Sequence, residues 1–147
     1  MLTNEDVSVG IVAILDGEQL MRDEAVTGHF ERRAGIGGRP FLCIAVEGSR
    51  SHWLQLTRQW SQLRISIDAW KQPGSPKWME DKQYISDARH VFSGPHQSFI
   101  AASSIEKPHH PHRRPWVNDE GVEAVIAEIK KYNHSWTPGG TSPVVSE

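Results

Sequence analysis

The chain has 147 residues, of which 37% are hydrophobic and 23% charged, with a formal net charge of −2. That length supports one domain with its own core, and the composition excludes a disordered chain. Near-neutral charge excludes whole-molecule attraction to nucleic acid but leaves room for a local basic patch. Arginines do cluster, with Arg32, Arg33 and Arg39 close together and Arg113 beside Arg114. No apolar stretch approaches the roughly 18 residues of a membrane span, and the acidic start is unlike a signal peptide, so the expected address is cytoplasmic.

Residues Leu2 to Val26 allow two readings. Thr3 or Asn4 caps a helix with Glu5 and Asp6 in its first turn, and Val7, Ile11, Ile14 and Leu15 then fall at helical spacing. Alternatively, Val7, Val9 and Ile11 alternate as a strand would, and Asp16-Gly17 suits a hairpin turn. The absence of β-branched residues in Glu18 to Glu24 favours helix, so residues 1–26 read as a helical N-terminal extension. Thr27 to Arg33 is a short candidate strand, and it runs into the glycine-rich loop Gly35 to Gly38.

From Arg39-Pro40 an apolar run, Phe41 to Val46, reads as a buried strand. After a polar turn comes a second strand in which Trp53, Gln55 and Thr57 share one side and His52, Leu54 and Leu56 the other. Cys43, the single cysteine, sits inside the first run and reads as core. Leu63, Ile65 and Ile67 alternate as a third strand, and Lys71 to Lys77, with two prolines and a glycine, reads as loop. Tyr84 to Phe92 and Ser98 to Ala102 read as further short strands separated by a turn at Ser93-Gly94-Pro95. Such spacing predicts a mainly β fold, a small barrel or strongly bent sheet.

Lys107 to Trp116 is a proline-broken basic loop, after which Asn118 caps an amphipathic helix. Val122, Val125, Ile126, Ile129 and Tyr132 form its apolar face, so it should pack on the sheet. Residues 137–147 lack an apolar pattern and read as a disordered tail, leaving 27–136 as the folded domain.

His109, His110 and His112 invite a metal reading, with His90 and His96 upstream, but prolines interrupt the cluster and no HExxH or CxxC pattern exists. A solvated or phosphate-facing loop with Arg113 and Arg114 fits better, and neither metal nor cofactor is expected. There is also no GxSxG, P-loop or GxGxxG to support a nucleophilic hydrolase, an NTPase or a dinucleotide enzyme. Of the six tryptophans, Trp53 stands out because alternation puts it beside Thr57, where an exposed ring would stack a base.

Gly37-Gly38-Arg39-Pro40-Phe41-Leu42-Cys43-Ile44, followed by Leu56-Thr57-Arg58, resembles the PemK/MazF family of toxin ribonucleases. Tyr84 to Arg89 is similar, more loosely, to the strand before that family's final hydrophobic segment, and the helix from Asn118 to Tyr132 lies where the family has one. The resemblance implies an SH3-like β-barrel with a C-terminal amphipathic helix, a homodimer, metal-independent cleavage of single-stranded RNA, and a cognate antitoxin. On that likeness Arg39 and Thr57 are the catalytic pair. The family's Glu-Gln loop pair has no counterpart here, so a non-catalytic SH3-like module binding nucleic acid or protein stands as the alternative.

Metal-free RNA cleavage sends the 2′-hydroxyl against its own phosphate. It needs a base, an acid for the leaving oxygen, and positive charge on the transition state. A guanidinium at Arg39 meets the charge requirement, and a hydroxyl at Thr57 adds a donor from a rigid strand end. His29, ahead of the glycine loop, has the intrinsic pKa of a base. Arg58 completes the expected RNA contacts with Arg32, Arg33, Trp53, Arg113 and Arg114.

Overall fold

A computed structural model describes residues 1–27, 37–72, 76–106 and 114–132, with the side chains of 76 and 77 left aside. The protein is mixed α/β with antiparallel sheets. Its strands are β1 (Val12–Asp16), β2 (Gly38–Glu47), β3 (Arg50–Thr57), β4 (Lys71–Gln72), β5 (Tyr84–Ile85), β6 (Phe92–Pro95) and β7 (Trp116–Val117). The helices are α1 (Gly17–Arg22), α2 (Pro76–Glu80), α3 (His96–Ala102) and α4 (Asp119–Tyr132). The main sheet runs β1-β2-β3, and β3 carries β5 along one end of its outer edge and β6 along the other. A second, two-stranded sheet pairs β4 with β7.

Both faces of the main sheet are covered, which is why β2 reads as a continuous apolar run. Leu42, Ile44, Leu54 and Leu56 pack on one side with Val122, Val125 and Ile129 of α4. Phe41, Cys43 and Trp53 pack on the other with Leu2, Leu20 and Phe99. Cys43 is fully buried, as expected, and burial pushes its thiol up to about 12, against hydrogen bonding to the Ala45 and His52 backbone. It is a core residue with no thiolate character.

The predicted helix over the first 26 residues is corrected by this packing. Val12 belongs to one core cluster and Ala13 and Leu15 to the other, so the segment needs two buried sides, and a strand supplies them. The Thr3 cap does form, but it starts only a short 3-10 turn, Asn4–Asp6, in which Asp6 Oδ2 accepts from Thr3 N (2.8 Å). α-Helix follows only from Gly17, where Asp16 Oδ1 accepts from the amides of Glu18 (3.0 Å) and Gln19 (3.3 Å). Leu2, Val7, Leu20 and Val26 are all buried, so this stretch is part of the core. The outer edge of β1 is closed by Pro115 O, which accepts from Val12 N (2.9 Å), and by Glu106 Oε2, which accepts from Ile14 N (2.7 Å).

Further expectations need correction. Leu63 to Ile67 forms no strand beyond a single bridge from Ser66 to Tyr84, because Arg64 folds the segment back by donating to Gln59 O and Ser86 O. The run Tyr84 to Phe92 is split into β5 and β6 by a turn at Asp87, whose carboxylate accepts from Arg89 N. Ser93-Gly94-Pro95 is strand, not turn, and Ser98 to Ala102 belongs to helix α3, since Phe99 and Ala102 fall at helical spacing onto one core. Within the expected Lys71–Lys77 loop, Lys71 is buried in β4 and α2 begins at Pro76. The tail 137–147 lies outside the described residues.

The closing helix has the expected cap, with Asn118 Oδ1 accepting from Gly121 N (2.8 Å), and Val122, Val125 and Ile129 are buried. Ile126 is partly buried, and Tyr132, expected on the same face, is exposed at the helix end. Gly121 is there for packing: a Cβ would lie 2.5 Å from Val117 Cγ1 and closer still to Trp70 Cβ. Gly121→Ala gains up to about 1 kcal/mol of helix propensity but overpacks at a cost of roughly 1–3 kcal/mol. The expected net result, read by denaturant unfolding, is a less stable protein.

Among the described residues the ladders do not close into a barrel. One isolated bridge, Ile11–Trp116, joins the segment entering β1 to β7 of the small sheet, and another, Ser66–Tyr84, adds to β5. No described helix is long and apolar enough to cross a membrane.

Candidate functional site

The β2–β3 ladder ends at the pair Phe41–Gln55. Beyond it Gly38 to Pro40 continue along β1, while Leu56 and Thr57 pair with β5. The two strands therefore part company, and a cleft of about 860 Å³ opens where they diverge. That is within the range of small-ligand and substrate sites. Gly38 lets β2 run close to its neighbours here, since a Cβ would fall 2.8 Å from Ile14 Cγ2 and 2.9 Å from Ile105 Cδ1.

Arg39 and Thr57 each lie two residues past Phe41–Gln55, so the ladder directs them to the same face from opposite strands. Both line the cleft, together with Arg58, Arg64, Gln83 and Glu106. Arg39 is exposed, and among the described residues its guanidinium makes one hydrogen bond, from Nη1 to Gly38 O at 3.0 Å. The remaining donors of its five are uncommitted among the described residues and accessible to a ligand. Thr57 Oγ1 accepts from Gln59 N (3.2 Å), an arrangement that leaves the hydroxyl proton to donate.

The other charges divide into committed and available. Arg58 meets Asp81 at 3.7 Å with 65% of its side chain exposed, a weak pairing that a phosphate would displace. Arg64 spends donors on the carbonyls of Gln59 and Ser86 (both 3.0 Å), so these bonds hold it in place without cancelling its charge. The Glu106 side chain is 1% exposed and accepts from Arg114 Nη1 and Ile14 N, both at 2.7 Å. Its charge is met by Arg114, and Asp81, which also lines the cleft, offsets Arg58, so the wall is net basic through Arg39 and Arg64.

Two expected RNA contacts are corrected. Trp53 is fully buried, stacked on Phe99 with centroids 5.5 Å apart, and its Nε1 donates to Ser51 Oγ (2.9 Å). Alternation assigns it to the face of Thr57, but α3 covers that face at Trp53. Arg114 is 11% exposed and is bound to the buried Glu106, so its charge holds the fold together. His29, Arg32, Arg33 and Arg113 lie outside the described residues, as do His109, His110 and His112. Among the described residues no group of three or more His, Cys, Asp or Glu is arranged to hold a metal.

Sequence reading missed the neighbourhood of Arg64. A cavity of about 190 Å³ shares Gln55, Arg64 and Ser86 with the cleft and adds Asp87, His90 and Phe92. His90 Nε2 lies 3.2 Å from Asp87 Oδ2, and Asp87 also takes a two-pronged bond from Arg89 (3.0 and 2.9 Å). The Asp-Ala-Arg-His spacing was the available signal: a carboxylate at the start of a turn faces both the second and third residues after it. Partial burial alone would raise the Asp87 pKa, but the bonds from Arg89 and the charges of His90 and Arg89 bring it below the ordinary carboxylate value. A depressed folded-state pKa stabilises above the unfolded value, near 3.9, and that stability fades as pH falls through the folded value. Asp87→Asn should therefore unfold with less pH dependence below about pH 4 than the parent, as read by acid titration followed by circular dichroism.

At the other end of the β2–β3 hairpin, His52 is held between Ser93 Oγ and Glu47 Oε1, both at 2.6 Å, and His96 between Ser51 Oγ (3.1 Å) and Gly48 O (2.9 Å). These buried rings tie the hairpin to β6 and α3, far along the strands from the cleft. Set against family models, curated proteins and solved structures, the chain matches none.

Proposed function

We propose that this protein is a metal-independent endoribonuclease of the PemK/MazF kind, cutting single-stranded RNA in the cleft between β2 and β3. The observation that carries the reading is the convergence of Arg39 and Thr57, from separate strands, on one basic cleft. In the reaction the 2′-oxygen attacks the adjacent phosphorus as it loses its proton. The bond to the 5′-oxygen then breaks as that oxygen takes a proton from water, giving a 2′,3′-cyclic phosphate and a 5′-hydroxyl. Arg39 neutralises the phosphorane-like charge with its fork of donors, and Thr57 donates to a non-bridging oxygen. His29 is the candidate base. An SH3-like barrel, partly open, is supported by the Ile11–Trp116 bridge between the main sheet and the small one. Homodimerisation, a cognate antitoxin and a cytoplasmic address belong to the same proposal.

A second reading rests on one observation: among the described residues lining the cleft, none is a histidine or cysteine. A charged cleft with no histidine or cysteine among its described residues suits a non-catalytic SH3-like module that holds nucleic acid. The deciding experiment incubates the purified protein with single-stranded RNA in excess chelator and analyses the ends. Products ending in cyclic phosphate support the enzyme. RNA that is bound but uncut across varied sequences supports the module, and RNA neither bound nor cut sinks both.

A further inference from the structure

Trp60 is 71% exposed and Leu63 76%, although large apolar side chains are normally withdrawn from water. Both sit on the segment that leaves β3 directly after Thr57. This segment is pinned on either side of Trp60: Arg64 Nη1 donates to Gln59 O and Arg64 N donates to Ser61 O, both at 3.0 Å. Arg64 Nε in turn donates to Ser86 O (3.0 Å), which fastens the segment to the body of the protein. An exposed indole held on a fixed backbone is already ordered for a partner, so binding loses little chain entropy.

Charge selects the partner. Gln59, the neighbour of Trp60, lines the cleft with Arg39, Arg58 and Arg64. Trp60 is three residues from Thr57, and three trans peptides span at most about 11 Å. A nucleotide with its phosphate against Arg39, Thr57 and Arg58 thus has its own base, or an adjacent one, within reach of the indole. Basic groove and exposed aromatic ring together make the pattern by which proteins hold unstacked bases.

We infer that Trp60 is the base-stacking residue of this cleft, and that the ligand class is single-stranded nucleic acid with an unstacked base beside the bound phosphate. This rests on the cleft being a nucleic-acid site, but it does not depend on catalysis. Sequence reading selected the right residue type and the wrong member, because exposure, which alternation does not report, distinguishes Trp60 from Trp53.

The test uses the full-length protein and two probes that lack a 2′-hydroxyl: a short mixed-sequence deoxyoligonucleotide and an abasic oligomer with as many phosphates. Trp60→Ala should bind the base-bearing probe about tenfold more weakly than the parent, the scale of one lost base–aromatic stack. It should bind the abasic probe as the parent does, and Trp60→Phe should recover most of the affinity. Arg39→Ala should weaken binding to both probes. Unchanged affinity of Trp60→Ala for the base-bearing probe, with Arg39→Ala still impaired, overturns the inference and spares the cleft. A shift in the oligomeric state of Trp60→Ala with intact oligonucleotide binding also overturns it and assigns the ring to a protein interface. If the parent binds neither probe, the nucleic-acid reading of the cleft falls and takes the inference with it.

Discussion

Arg39→Ala is expected to slow RNA cleavage at least a hundredfold, about the scale of removing one preorganised donor from a developing negative charge. The melting temperature should barely move, because Arg39 is exposed and its described hydrogen bond is to the carbonyl of its own neighbour. Surface substitutions of that kind stay within about 0.5 kcal/mol. Lysine at 39 should rank between alanine and arginine, since an ammonium restores the charge but not the two-pronged fork. Thr57→Val removes the hydroxyl while keeping the β-branched shape that suits a strand end, and it should lower kcat with the fold intact. Because the transition state carries more charge on the phosphate than the ground state does, the loss should fall on kcat more than on KM. Cleavage by Arg39→Ala at the parental rate, in chelator and at equal protein purity, would assign the charge role elsewhere in the cleft.

Three residues of the cleft wall, Arg39, Thr57 and Arg58, are legible in the amino-acid sequence. Arg39 and Thr57 stand out because each ends an apolar run, and strand ends are where a rigid sheet presents side chains to solvent. The places where reasoning from pattern fails share a cause: local alternation says which residues share a face but not what covers that face. Trp53 and Thr57 do lie on one side of β3, yet Trp53 is under Phe99 while Thr57 is at the open end. Val7, Ile11, Ile14 and Leu15 carry a helical stripe, yet Val12–Asp16 is strand because the chain buries both of its sides there. Arg64 reads as the wet face of a strand in the sequence, and its two carbonyl bonds turn it into the post of a loop. Asp87 and His90 meet only because the expected strand breaks there. Helix α4 is legible up to its last turn, where Tyr132 is exposed, since its cap, charge gradient and apolar stripe are all local.

Glu106→Ala should be the most destabilising single change at the cleft, costing roughly 3–5 kcal/mol, because it strands Arg114 as a nearly buried cation. For a chain of this length that corresponds to a fall in melting temperature of about 10 °C. Glu106 does three jobs from a site 1% exposed: it meets Arg114 at 2.7 Å, accepts the Ile14 amide at 2.7 Å, and lies 3.4 Å from the Met1 ammonium. The Ile14 bond matters for position, because Ile14 faces Pro40 across the ladder and the edge of β1 is fixed there by Glu106. Glutamine at 106 keeps an acceptor for that amide and loses the ion pair, so it should fall between alanine and the parent. Removing both charges together, as Glu106→Gln with Arg114→Met, should cost less than the sum of the single changes, since neither leaves the other's charge unpaired. The same variants separate architecture from chemistry. If Arg114 contacted RNA directly, Arg114→Met would weaken binding at temperatures where the protein is still folded; if it serves Glu106, affinity measured well below the melting point stays at the parental level. A Glu106→Ala protein melting within about 1 °C of the parent would show that the pair is not buried in solution, and Arg114 would return to the list of cations facing the cleft.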